Sequence, residues 1–152
     1  MSVKFNFDPK KLFKPTRDQL KDFGNTIAYE LIKNTMNGIT SVAGEDRRFP
    51  AYKDPLKYPA GLKPQRPVNL TLKGDMLDDL DFDVILDNRG FGIRLFFSTD
   101  ASATKYKSNH NAETGQAGKR KIIPINKGEK FSKSMEQFIQ KELNKMIEKS
   151  LK

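Results

Sequence analysis

The chain contains no cysteine, which removes disulfide staples, thiolate nucleophiles and every thiolate-based metal centre at once. Histidine occurs once, at His110, so a site built from several imidazoles has no material and a Ser/His couple has a single ring to draw on. No run approaches the roughly 18 apolar residues that span a bilayer. The opening MSVKFNFDPKK also lacks the apolar core of a secretory signal. The expectation is a soluble protein made in the cytoplasm, with no membrane partner. A Gly-rich phosphate loop is missing too: GQAGKRK, residues 115–121, has neither the preceding strand nor the spacing of one.

What is present is charge. Lys and Arg number 28 against 19 Asp and Glu, a formal net charge of +9, which favours contact with polyanions or an acidic protein surface. The basic residues are interleaved with acids rather than gathered on one helix or arm, so solubility alone also explains them. With 152 residues the chain fits one domain. Apolar residues make up 36% and charged residues 31%, which implies a modest core and much surface.

Hydrophobic spacing sorts the chain into elements. Residues 1–15, with Phe5, Phe7, Leu12 and Phe13 among lysines and prolines, keep no period and read as an arm that needs something to pack on. Thr16 and Gln19 form a capping-box signature, and Leu20, Phe23, Ile27, Leu31 and Met36 then repeat at helical spacing. That helix is predicted to run to about Asn37 and stop at Gly38. Gly24 inside it marks a close approach to another element. Residues 39–67 carry Pro50, Pro55, Pro59, Pro64 and Pro67 among aromatics, and read as a loop that touches a partner.

Val68, Leu70 and Leu72 alternate as a short strand ended by Gly74, and Asp75 is placed to cap a helical turn carrying Met76, Leu77 and Leu80. Phe82, Val84 and Leu86, then Asn88-Arg89-Gly90, then Phe91, Ile93, Leu95 and Phe97 spell the clearest hairpin. Residues 98–118 are small and polar and read as a flexible loop with a helical turn near Ala101 to Lys107. Ile122, Ile123 and Ile125 around Pro124 suggest a brief edge strand or an extended crossover. Met135, Phe138, Ile139, Leu143, Met146, Ile147 and Leu151 stripe a long final helix. The fold class expected is α+β. An antiparallel sheet of three to four strands packs against long N- and C-terminal helices, with extended arm and loops, in a single domain over 1–152.

Three groupings invite a chemical reading. Asp75, Asp78, Asp79, Asp81 and Asp83 crowd together, but without the order of a calcium loop; they read as a cap and a solvated strand face. His110, flanked by Asn109 and Asn111, reads as a hydrogen-bonding or interface residue. Lys105, Lys107, Lys119, Arg120 and Lys121 are suited to a DNA backbone, and more readily to a solvated loop or a salt-bridging subunit contact.

The segment RRFPAYKDPLKYPAGLKPQRPVNLTLKGDMLDDL, residues 47–80, resembles a signature of tail-completion and virion-morphogenesis proteins of tailed bacteriophages. The resemblance lies in order: a helix, then an aromatic-Pro-x-Tyr pattern at Phe49, Pro50 and Tyr52, then Tyr58. A strand-and-turn motif follows at Leu70, Thr71, Leu72, Gly74, Met76 and Leu77, and farther on come His110, Asn111 and Arg120. The likeness extends over about Ile27 to Ile147. Near Arg120 the chain departs from the family, with Lys119, Lys121, Ile122 and Ile123 where a proline and an aromatic are common.

The resemblance implies a structural, non-enzymatic subunit of the phage neck or tail end, without a cofactor. It implies a homo-oligomeric ring, six copies favoured and twelve the alternative, meeting portal or adaptor proteins and a tail terminator or tail tube, with non-specific contact to passing DNA. Localisation would be the virion. The contact residues expected are Phe5, Phe7 and Phe13 in the arm; Arg47, Arg48, Phe49, Tyr52 and Tyr58 in the proline-rich loop; and Lys105, Lys107, His110, Lys119 and Arg120 downstream. The competing class is a nucleic-acid-binding module, and behind it an acid-cluster nuclease.

Overall fold

A computed structural model describes residues 3–4, 13–44, 47–49, 75–111 and 120–150. The fold is α+β, an antiparallel sheet with helices against it. Strand β1 is Val3–Lys4, helix α1 Arg17–Met36, the single turn α2 Asp75–Asp78, and strands β2 and β3 Leu80–Asp87 and Gly90–Phe97. Helix α3 is Asp100–Asn111 and helix α4 Lys133–Ser150. The sheet order is β1-β3-β2.

Helix α1 starts where a side chain can satisfy its orphan N–H groups. Gln19 N–H donates to Thr16 Oγ1 at 3.1 Å, and Thr16 N–H donates back to Gln19 Oε1 at 2.8 Å. The helix ends at Asn37, followed by Gly38 at φ 73°, a left-handed residue that lets Ile39 N–H reach Asn34 O at 2.8 Å. Leu20, Phe23, Ile27 and Leu31 are buried. Met36, expected on the same stripe, is 50% exposed, because its spacing of five from Leu31 turns it about 140° away from that face at 100° per residue. At Gly24 a Cβ would collide with the ring of Phe82; the bare backbone is what lets α1 lie close on β2.

The hairpin pairs Leu80↔Phe97 through Asp87↔Gly90, with Asn88 and Arg89 as the turn. Phe91, Ile93, Leu95 and Phe97 are buried along one face of β3, as the period of two requires. Asp81 and Asp83 stand exposed on β2. Helix α4 is capped by Ser132 Oγ, which accepts from Met135 N–H at 3.3 Å. It buries Met135, Ile139, Leu143 and Met146. Gln19 Nε2 donates to Ser150 Oγ at 2.6 Å, tying the start of α1 to the end of α4.

Two expectations change. Residues 98–118 were expected as a flexible loop, yet Asp100–Asn111 is a 12-residue helix, whose apolar signal is too thin to read because one aromatic, Tyr106, does most of the packing. Helix α2 begins at Asp75 itself rather than after it. Of the two readings of Ile122 and Ile123, an edge strand or an extended crossover, the structure has the crossover, between α3 and α4, where they are 1% and 0% exposed. The strand expected at Val68 to Leu72 and most of the proline-rich loop lie outside the described residues.

Candidate functional site

The polar chemistry of the chain gathers where three irregular stretches meet α3. Thr99 caps that helix, accepting from Ser102 N–H at 3.2 Å. The Asp79 carboxylate accepts from Thr99 Oγ1 at 2.7 Å and from Ser102 Oγ at 2.6 Å. Those hydrogen bonds, Ser102's first, hold the Asp79 carboxyl below its ordinary value. This member of the acid cluster therefore anchors a helix start. Among the described residues no group of three or more His, Asp or Glu is arranged to hold a metal ion.

Tyr106 and His110, four residues apart on α3, face inward and are 0% exposed. Tyr106 Oη donates to Ile123 O at 2.6 Å and accepts from Ile123 N–H at 2.8 Å and Ile122 N–H at 3.1 Å. One hydroxyl thus replaces the strand partner that the Ile122–Ile123 backbone lacks. Burial pushes the Tyr106 phenol well above its ordinary value, against the backbone hydrogen bonds that favour its ionised form. His110 Nδ1 lies 2.7 Å from Tyr106 Oη, and Nε2 lies 2.9 Å from each oxygen of Glu129. A carboxylate only accepts, so Nε2 carries a proton.

Glu129 is the hub. Burial alone would raise its carboxyl, but hydrogen bonds from Lys121, His110 and the Asn126 N–H, with the attraction of His110, hold it at about 2. Lys121 Nζ sits 2.8 Å from Glu129 Oε2. The same crossover reaches the segment after α1: Thr40 Oγ1 donates to Lys121 O at 2.7 Å, Ala43 N–H to Lys130 O at 2.9 Å and Ser132 N–H to Ser41 O at 2.8 Å. Arg120 N–H donates to Asn109 O at 3.0 Å. In this Tyr–His–Glu chain Tyr106 and His110 are 0% exposed, and Glu129 at the outer end is 12% exposed. What the arrangement does is brace.

The expected contact residues divide accordingly. Arg47 and Arg48 are exposed on a short turn-back where Ile39 bridges Arg48. Lys105 and Lys107 are exposed on the outer side of α3. Phe13 is half-buried, its ring edge-on to Phe91 at 5.7 Å. Three expectations are corrected: Phe49 is 3% exposed, and His110 and Arg120 are 0%. Phe49 belongs to the core cluster, and none of the three presents a surface to a partner. Phe5, Phe7, Tyr52, Tyr58 and Lys119 lie outside the described residues. The sequence reading missed Tyr106 and Glu129. The spacing of Tyr106 and His110 was the available signal once Thr99 is seen as a cap.

Among the described residues, two of the grooves lie beside the sheet. One, of about 590 Å³, lies between α1 and β2, with Arg17, Lys21 and Arg94 facing Asp81 and Asp83. The other, of about 420 Å³, lies at the hairpin tip beside Phe13, Pro15, Leu86 and Phe91. No helix among the described residues is long and apolar enough to cross a membrane. Comparison with protein-family models, curated proteins and solved structures finds no match to this chain.

Proposed function

We propose that the chain is a structural subunit of a tailed-phage particle, forming a ring in the neck or at the tail end that joins head to tail, and that it works by binding rather than catalysis. The observation that carries this reading is the division of polar residues. The titratable groups that converge, Tyr106, His110, Glu129 and Lys121, are engaged in bracing the interior. Basic side chains at Arg47, Arg48, Lys105 and Lys107 stand outside it, where they can meet neighbours. The order of motifs over residues 47–80 adds the likeness to tail-completion and virion-morphogenesis proteins.

In this reading a sheet of three to four strands packed against two long helices makes the body, and arm and loops make ring and stacking contacts. Sister copies are the first partners, six favoured over twelve, with portal or adaptor proteins on one side and tail terminator or tail tube on the other. Head-to-tail contacts of this kind close by rotation. Native mass measurement and negative-stain imaging with neck proteins present test it. A closed ring is expected; a monomer under every such condition overturns the proposal.

The exposure of Lys105 and Lys107 also favours a second reading, a nucleic-acid-binding module that meets the phosphate backbone. Tight DNA binding that weakens steeply with salt, without any ring, would select it.

A further inference from the structure

We propose that neighbouring copies of the chain join head to tail, the outer stripe of α1 on one copy, Tyr29 with Met36, seating in the hairpin-tip groove of the next. The inference deepens the ring reading by naming its joint, and rests on that reading for closure into a ring.

Three large apolar side chains stand exposed among the described residues: Tyr29 at 68%, Met36 at 50% and Leu86 at 39%. They sort into two places. Tyr29 and Met36 are seven residues apart on α1, which at 100° per residue puts them within about 20° of each other, on the side of the helix opposite Leu20, Ile27 and Leu31. Half-buried Ile32 flanks them. Leu86 lines the groove of about 420 Å³ with Phe13, Pro15 and Phe91. A protruding aromatic beside a methionine is the kind of anchor that carries most of an interface's energy, provided an apolar pocket receives it. The same chain supplies such a pocket.

The two places lie out of each other's reach. Pro15 lines the groove at the hairpin tip and Gly24 lies against Phe82, so α1 runs along β2 from the tip towards Leu80. Tyr29 and Met36 therefore stand about 18 and 29 Å along the axis from Arg17, where the helix starts. One copy cannot fill its own groove with its own stripe; a second copy can. Two different patches at opposite ends of one helix make a heterologous contact, which repeats from copy to copy and closes by rotation. A stripe packed on its own twin would stop at two copies and leave the groove and Leu86 uncovered. Charge fits the same docking. Beside the stripe are Lys33 and Glu30, joined to each other only at 3.6 Å; on the rim of the groove are Asp87 and Lys14. With Lys33 set against Asp87 and Glu30 against Lys14, both contacts across the joint are of opposite sign.

The absence of cysteine makes a clean test. Lys14→Cys and Lys33→Cys, both at exposed positions, are made in separate full-length chains, one bearing a size tag, and mixed with neck proteins present. A thiol linker is added that is shorter than the distance of about 24 Å between Lys33 and the start of α1. Expected is a mixed dimer of the two chains, roughly tenfold above that from Lys14→Cys mixed with Lys105→Cys. Lys33→Cys chains that link chiefly to each other show stripe packed on stripe, and overturn the joint.

Native mass of the same samples separates this result from the ring. Rings without the link sink the joint and leave the ring reading standing; linked copies that never close into a ring do the reverse; unlinked monomers overturn both. Tyr29→Ala/Met36→Ala is a second check. Both side chains are exposed, so the double variant should melt as the parent does, while assembly should need at least about tenfold more protein. Undiminished assembly would overturn the joint.

Discussion

Two halves of this molecule are held together by different chemistry. Where α1 and α4 meet the hairpin, Leu20, Ile27, Leu31, Ile93 and Leu95 are 0% exposed and the contacts are apolar. Where α3 meets the crossover at residues 120–132, the contacts run through one phenol, one imidazole and one carboxylate. Apolar burial is non-directional and tolerates small shifts, whereas a hydrogen-bonded brace works only if every partner is in place. The first is ordered by apolar packing; the second adds to its buried Ile122 and Ile123 a set of directional hydrogen bonds.

The largest expected effect tests the apolar half. Leu31→Ala should lower the free energy of unfolding by about 2–5 kcal/mol, read from urea denaturation. Tyr106→Phe removes no volume but strips the hydroxyl from Ile122 N–H, Ile123 N–H and Ile123 O, and should cost about 1–3 kcal/mol. If it proves neutral, the brace does not hold the crossover.

Titration separates the halves again. Glu129 is held at about 2 against an ordinary 4.5, so its contribution is present above about 4.5 and is lost as pH falls towards 2. Tyr106 is shifted the other way, from an ordinary 10.0, so its contribution is present below pH 10 and is lost as pH rises beyond it. Thermal melts across pH should show both flanks. The acid flank should be blunted in Glu129→Gln and the alkaline flank in Tyr106→Phe.

Smaller effects follow. Gly24→Ala gains about 1 kcal/mol of helix propensity, and loses about 1–3 kcal/mol to the collision with Phe82. The net is a modest loss, which Phe82→Leu in the same chain should recover. Lys105→Glu with Lys107→Glu should change monomer stability by no more than about 0.5 kcal/mol while weakening assembly. Chemical denaturation and native mass, measured on the same sample, check both parts.

The same contrast explains what could be read in advance. The capping box at Thr16, the stripe from Leu20 to Leu31 and the alternation from Phe82 to Phe97 are local patterns whose period alone names the element. Asp100–Asn111 carries no such stripe; it is a helix because Asp79, far back in the chain, secures its start and Tyr106 finds two amides to hold. Those are contacts across 17 and 23 residues, invisible to any window. His110 was singled out for its rarity, and only its partner Glu129 reveals it as an internal support rather than a point of contact.

The hydrogen bond from Arg120 N–H to Asn109 O, 3.0 Å long, has a practical reach. It holds Asn109 and Arg120 together, so chain added between them lengthens a stretch whose ends are already joined. Lengthening such a closed loop costs only about 0.6 kcal/mol per doubling. A folded reporter domain spliced between Ala112 and Lys119 should therefore leave the fold intact, and would display one visible marker per subunit wherever the protein comes to rest.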